Sequence, residues 1–148
     1  MSSQPSAVRV KPKTKFCYGC GPENPRGLQV PFVADGPNGS RALYTARAEH
    51  CGWPGMLHGG VTFALMDEAL GCAVHFQGLR AVTARADTRF RQPVPTGAKL
   101  IIRAWTLAQR RRLVTARAEI RIDDQGQTLV AEIDATMYVL DAEKGNDD

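Results

Sequence analysis

The stretch PGMLHGGVTFALMDEALGCA, residues 54–73, places a histidine and two glycines directly before an apolar pattern that contains two adjacent carboxylates. The spacing of its apolar residues predicts a helix over residues 59–76. Residues 61–76 are so apolar that a carboxylate among them needs either a polar partner or a chemical task. A solvated helix edge is the usual explanation for an Asp–Glu pair, and the apolar surroundings argue against it here.

One side of the predicted helix carries small side chains around the first of these acids. At 100° per residue, three residues lie within about 40° of Gly60: Ala64, Asp67 and Gly71. Small side chains allow another backbone or a ligand to approach Asp67 closely. The second acid, Glu68, falls on an adjacent stripe; it is expected to be a salt-bridge or solvent residue, and it is the alternative candidate for a catalytic base.

The two glycines at the start of the helix expose backbone amides. The first turn of a helix leaves its N–H groups unpaired and partly positive, and glycine lets an oxygen atom approach them. Such donors stabilise the oxyanion that develops during acyl transfer. A sharp turn into the helix is the alternative reason for Gly59 and Gly60, and the sequence leaves both readings open.

Helix geometry separates these two halves of a site. Asp67 follows Gly59 by eight residues, which is about 12 Å along the axis at 1.5 Å per residue. Attack on a carbonyl group requires the amide donors and the carboxylate, or its water, about 3 Å from the same small group. One helix does not satisfy this requirement, whereas two antiparallel helices from two chains do. The spacing therefore predicts an obligate homodimer with two shared sites.

The rest of the folded part reads as strands joined by short links. Strands are predicted over residues 28–34, 40–49 and 81–92, followed by three more, of which the last two alternate cleanly between apolar and polar residues. One helix and about six strands with tight links cannot form repeated βαβ units. The expected fold class is α+β: an antiparallel sheet of about six strands wrapped around one long central helix.

The chain of 148 residues fits a single domain, which we expect over residues 16–140. A flexible basic segment, residues 1–15, is expected before it and an acidic tail, residues 141–148, after it. The first segment lacks the apolar centre of a secretory signal, and no apolar run approaches the ~20 residues of a membrane span. We therefore expect a cytoplasmic protein with no membrane partner.

The four cysteines, at positions 17, 20, 51 and 72, do not make a disulfide framework in a chain of this size and fit a reducing compartment. The CYGC stretch at residues 17–20 offers half of a zinc site, and His50 with Cys51 would have to supply the other half. Those two ligands are adjacent rather than spaced. We therefore expect a glycine-rich turn, with no metal and no cofactor.

Residues 80–121 contain eleven Arg and Lys and only two acids. Such a stretch predicts either a solvated face or an anionic partner. Aromatic residues are too few there to stack nucleic-acid bases, so no nucleic acid is expected. The alternative partner is a small ligand with phosphates, for which the candidates are Arg89 and Arg91 first, then Arg85 and the run 110–112.

Three stretches together resemble the hotdog-fold acyl-CoA thioesterases, and most closely their phenylacetate-pathway (PaaI-like) branch. They are HGGVTFALMDEALG at 58–71, VTARADTRFRQPVPTG at 82–97 and CYGCGPENPRGL at 17–28. The likeness runs from about residue 16 to 140. It implies the hotdog fold, a homodimer with tetramers left open, and an acyl-CoA substrate.

The resemblance assigns roles residue by residue. Asp67 takes the position of the family's carboxylate, which acts as general base or nucleophile. Gly59, with Gly60 beside it, corresponds to the amide that polarises the thioester carbonyl. Thr83 corresponds to the residue that positions the attacking water, and His58 is the motif histidine that helps to hold the loop and the thioester.

Two features complicate this transfer. Several members place an asparagine six residues before the motif histidine, where this chain has Gly52; His50 or Trp53 is expected to compensate at the substrate. Strict alternation would also put Thr83 on the same strand face as Arg85, Arg89 and Arg91; either a bulge or strong twist reconciles this with its role, or Thr83 faces elsewhere.

Acyl-CoA hydrolysis at a shared site is the leading hypothesis. The alternative is a non-catalytic hotdog module that binds acyl-CoA or a related ligand. The reason to consider it is Gly52, which stands where several family members have an asparagine. The sequence leaves open which acyl group is accepted, and whether coenzyme A or an acyl-carrier protein bears it.

Overall fold

The computed structural model describes residues 14–142. Residues 1–13 and 143–148 lie outside the described residues, and with them most of the predicted basic segment and acidic tail. The described part is a six-stranded antiparallel sheet with one long helix packed against it. The predicted fold class is confirmed.

The strands in chain order are β1 (Val33–Asp35), β2 (Gly39–Thr45), β3 (Leu79–Phe90), β4 (Lys99–Arg110), β5 (Leu113–Ile122) and β6 (Leu129–Ala142). The helix α1 spans Gly59–His75, within one residue of the prediction, and a 3-10 turn spans Ala48–His50. Neighbouring strands lie in the order β1-β2-β4-β5-β6-β3. Strand β3, which follows the helix directly, is therefore an edge of the sheet, and its only neighbour among the described residues is β6.

The first strand is much shorter than the prediction of 28–34. Leu28, Val30 and Phe32 are buried, as their alternation suggests, but they do not pair with a strand. Gln29 adopts a left-handed φ of 53°, which breaks the extended path, and Pro31 has no N–H to donate to a ladder. This segment therefore packs into the core as irregular chain.

The core forms between α1 and the inward faces of the strands. On β5 the buried side chains alternate as predicted: Val114, Ala116, Ala118 and Ile120. On β6 the alternation slips once, because Val130 is an extra residue between the partners of Arg121 and Ile120, so Val130 and Ala131 are both buried. The Ser40 hydroxyl, fully buried, donates to the Ala69 carbonyl oxygen at 2.6 Å and ties β2 to the helix.

No helix within residues 14–142 combines the length and the hydropathy required to cross a membrane. Strand β6 continues to Ala142, two residues beyond the domain end expected at 140.

Candidate active site

The start of helix α1 presents one unpaired backbone donor. His58 is the N-cap, and its Nδ1 accepts a hydrogen bond from the Gly60 amide at 2.8 Å. A Cβ at position 60 would lie 2.9 Å from that same Nδ1, so the cap requires glycine there. The Gly59 amide has no hydrogen-bond partner among residues 14–142. Of the two glycine amides in the motif, Gly59 is the one that can receive a ligand oxygen.

A groove of about 850 Å³ opens beside this donor. Its walls come from the loop before the helix, the first turn of the helix and the end of β3: residues 51–53, 56–59, 62 and 90–94. Four predicted site residues therefore meet in one place: Trp53, His58, Gly59 and Arg91. Gln92, which sequence reasoning did not single out, adds a carboxamide to this groove; its position at the end of the predicted strand, before PVP, was the available signal.

Asp67 lies further along α1 and contacts Thr83 of the same chain. The Thr83 Oγ1 donates to Asp67 Oδ1 at 2.5 Å. The contact is possible because β3 contains a register shift between Thr83 and Arg85, which leaves Ala84 without a partner on β6. This bulge turns the Thr83 side chain toward the helix, whereas Arg85 is exposed. Strand β3 therefore contains a bulge of the kind that would separate Thr83 from the candidate arginines.

The stripe around Asp67 faces out of the protomer. Ala64, Asp67 and Gly71 are only half-buried, although Leu65, Met66, Ala69 and Leu70 of the same helix are completely buried. A Cβ added at Gly71 would meet no atom within 4 Å. The protomer therefore leaves open space beside its half-buried acid. Neither Asp67 nor Thr83 lines the groove at Gly59, in agreement with the helix spacing.

The ring of His50 does not line the groove and instead forms hydrogen bonds with Tyr44 and Arg47 of the same chain. Arg47 Nη2 lies 3.1 Å from Nε2 and Tyr44 Oη lies 2.5 Å from Nδ1. Because a guanidinium only donates, Nε2 accepts, and the proton of the neutral ring is on Nδ1, which donates to Tyr44. The His50 carbonyl oxygen accepts from the His58 amide at 3.0 Å. His50 thus supports the loop that carries the motif histidine, and the structure does not bring its ring to the groove as expected.

Burial, and next the neighbouring Arg47, lower the pKa of His50. The folded state therefore binds a proton at His50 less readily than the unfolded state does, so stability is present above about pH 6.5 and is lost as pH falls through the lowered folded pKa. We expect the free energy of unfolding to decrease between pH 7 and 5, and the decrease to be smaller in His50→Gln. Urea unfolding at several pH values measures both slopes; equal slopes would exclude this role.

Of the candidate arginines, only Arg91 lines the groove, and its Nη2 donates to Glu132 Oε1 at 2.8 Å. That contact lowers the pKa of Glu132. Arg89 is exposed and does not line the groove. Arg85 lines a separate pocket of about 300 Å³, and Arg112 donates to two carbonyl oxygens of β6. Arg91 is therefore the predicted phosphate-binding residue that lies at the groove.

The CYGC turn lies against helix α1. Instead of His50 and Cys51, the side chains near Cys17 and Cys20 are those of Glu68 and Cys72 on α1. Hydrogen bonding to Cys72, then burial, raise the pKa of the Cys20 thiol above its ordinary value. Glu68 therefore does not serve as a free second acid beside Asp67. Its spacing of four residues from Cys72 on one helical stripe was the available signal.

A family model described as the thioesterase superfamily matches residues 54–129, which include the helix, most of the groove and strands β3 to β5. The chain belongs to the thioesterase superfamily. A search of curated proteins finds no significant match. Among solved structures, a mutant form of the phenylacetic acid degradation protein PaaI from Thermus thermophilus is 28% identical, with a TM-score of 0.69, and the alignment covers 76% of this chain and 95% of that one. The resemblance to the PaaI-like branch of the hotdog thioesterases is confirmed.

Two further solved structures are similar. RHA08564, described as a thioesterase superfamily protein, is 26% identical with a TM-score of 0.77 over 84% of this chain; the alignment spans 60% of the length of RHA08564. The protein smu.793 from Streptococcus mutans UA159, bound to acetyl CoA, is 21% identical with a TM-score of 0.72, covering 78% of this chain and 91% of that one. At that identity the second likeness concerns the fold alone.

Proposed function

We propose that this protein is an acyl-CoA thioesterase with two sites that lie across a homodimer interface. Each site combines the Gly59 amide of one protomer with Asp67 and Thr83 of the partner. The amide polarises the thioester carbonyl, and the carboxylate drives hydrolysis as a general base or as a nucleophile.

The hydrogen bond between Thr83 and Asp67 is the observation that carries this proposal. The single Thr83 proton is engaged at Asp67 Oδ1, so Asp67 Oδ2 and the lone pairs of the threonine oxygen remain available as acceptors. A water molecule that donates one proton to each of these oxygens directs its own lone pair outward, which is the arrangement a hydrolytic water needs.

The open stripe and the free edge of the sheet support the dimer. An antiparallel partner helix laid along Gly60, Ala64 and Gly71 would bring its Gly59 end toward this Asp67. On the edge strand β3, Val82 and Phe90 are large apolar side chains that the protomer leaves 49% and 58% exposed. An exposed edge with apolar side chains is ordinarily covered by a partner.

The choice of acyl-CoA as substrate class rests on the superfamily and on the groove itself; the S. mutans protein of the same fold binds acetyl CoA. Apolar Trp53 and Met56 line that groove together with the cationic Arg91, as expected of a site that receives an acyl thioester with a phosphorylated carrier. Arg89, two residues before Arg91 in sequence, is the second candidate for the phosphates.

A panel of aromatic, short-chain and long-chain acyl-CoAs tests the function, with free thiol release as the readout and light scattering to measure the mass of the active species. We expect release from at least one substrate by a dimer or a multiple of it. Saturable binding without thiol release from any substrate would favour the alternative, a non-catalytic hotdog module; the absence of an amide side chain at Gly52 is the feature that favours it. An active monomer would contradict the shared site.

A further inference from the structure

Three cysteines and one glutamate converge on the side of α1 that faces the N-terminal loop. Cys17 Sγ lies 3.5 Å from Glu68 Oε1, and Cys72 Sγ lies 3.6 Å from the same oxygen. Cys20 lies on the same turn as Cys17 and is also close to Glu68. The ligand atoms of Cys17, Cys20 and Glu68 are all within 4.8 Å of one another. Cys20 and Cys72 are buried, with 5% and 0% of their surface exposed.

We propose that Cys17, Cys20 and Glu68, whose ligand atoms already lie together, bind a divalent thiophilic cation with Cys72 as the fourth ligand, and that Zn²⁺ is the ion that best matches these ligands. The site does not depend on the proposed hydrolase activity, since none of these four residues lines the groove or contacts Asp67 through its side chain.

Two of the distances match edges of a zinc tetrahedron. With Zn–S bonds of about 2.3 Å and Zn–O bonds of about 2.0 Å, the edge between a sulfur and an oxygen ligand is about 3.5 Å. The two sulfur–oxygen separations at Glu68 Oε1 are 3.5 and 3.6 Å. Glu68 Oε1 is therefore at the expected ligand–ligand distance from both Cys17 and Cys72, and the Cys20 sulfur lies within 4.8 Å of the ligand atoms of Cys17 and Glu68.

The ligand types and their charge also fit. Three thiolates and one carboxylate carry the same total charge as the four thiolates of a common structural zinc site. Sulfur ligands select zinc and other soft ions over magnesium and calcium. Two of the ligands come from the C-x-x-C turn, which is closed by the Gly21 amide donating to the Cys17 carbonyl oxygen at 2.8 Å. The other two, Glu68 and Cys72, lie four residues apart on helix α1.

Glycines allow the loop to reach the helix so closely. A Cβ at Gly19 would lie 2.6 Å from Glu68 Cγ, and a Cβ at Gly21 would lie 2.4 Å from the Cys17 amide nitrogen. Both positions in CYGCG therefore require glycine so that the turn can fold onto Glu68. A bound cation would fasten this loop to α1 one residue beyond Asp67, and so would link the stability of the N-terminal segment to metal binding.

The experiment uses the full chain without a polyhistidine tag, produced in zinc-supplemented medium and kept reduced. Metal content per chain is measured by plasma emission spectrometry, and Co²⁺ is then substituted so that its absorption reports tetrahedral thiolate coordination. We expect about one ion per chain, and intense visible and near-ultraviolet cobalt bands. Cys51→Ser is the matched control, because Cys51 is the fourth cysteine, is exposed and lies outside the cluster.

Cys20→Ser, Cys72→Ser and Glu68→Gln are expected to bind Co²⁺ at least about 10-fold more weakly than the wild type, since the loss of even an outer partner of a metal ligand costs that much. Glu68→Gln keeps the shape of the side chain, which makes it informative if a cysteine variant fails to fold. Wild-type protein with neither stoichiometric metal nor the cobalt bands would overturn the proposal. So would equal metal loss in Cys51→Ser, or a Cys17–Cys20 disulfide in the freshly purified chain.

Discussion

Asp67→Asn is expected to lower kcat for hydrolysis of the best acyl-CoA by about 10²–10⁴-fold if the carboxylate is the general base, and further if it is the nucleophile. The asparagine amide neither accepts a proton nor attacks a carbonyl, but it is nearly the same shape. Its oxygen can still accept the hydrogen bond that Thr83 now donates to Asp67 Oδ1. The loss is therefore expected in kcat, with little change in KM or in the dimer mass.

The matched control is Asp87→Asn, which removes the same charge from an exposed position on β3. It is expected to retain wild-type turnover. Steady-state kinetics of the two variants, measured by thiol release, separate a chemical role of Asp67 from a general effect of charge. Wild-type turnover by Asp67→Asn would refute the assignment of the base and with it the proposed mechanism.

Gly59→Pro is expected to lower kcat by about 10²–10³-fold, the usual cost of removing one oxyanion donor. Gly59 is the first residue of α1, where proline is well tolerated because its missing N–H has no partner within the helix. The preceding residue, His58, is already extended, with φ −64° and ψ 134°, as a residue before proline must be. A Cβ at position 59 would meet only Phe90, at 3.9 Å. The substitution therefore deletes the donor and preserves the helix.

Gly59→Ala is the control, because it adds the Cβ and keeps the amide; it is expected to lose far less activity than Gly59→Pro. Thermal unfolding of both variants checks that the helix start is intact. Equal loss in the two variants would show that space beside Phe90, rather than the N–H group, is what the reaction needs.

Mixed dimers of these two variants test whether Gly59 and Asp67 of one site come from different chains. In a dimer that contains one Asp67→Asn chain and one Gly59→Pro chain, one site carries both substitutions and the other carries neither. Random mixing of two inactive variants in equal amounts should therefore restore about a quarter of the wild-type activity. No restoration, with mixed dimers verified by mass spectrometry, would show that Gly59 and Asp67 act within one chain.

Local sequence patterns determined the helix and the inward face of the later strands. The apolar spacing after His58 placed α1 within one residue of its observed end, and the period of two in residues 114–122 identified the inward face of β5. The same helical spacing separated Gly59 from Asp67 and so predicted that the protomer would not bring them into one groove. These features depend on repeats of 3.6 or two residues, which the sequence displays directly.

The tertiary structure alone decided which side chains meet. The bulge that turns Thr83 toward Asp67 arises from the pairing of β3 with β6, and the contact joins residues 16 apart in sequence. The contact of Cys17 with Glu68 joins residues 51 apart, and the sequence, from which we expected only a glycine-rich turn there, did not indicate it. Such contacts are fixed by register shifts and by the packing of an irregular loop on a helix, and no local period in the sequence encodes either of them.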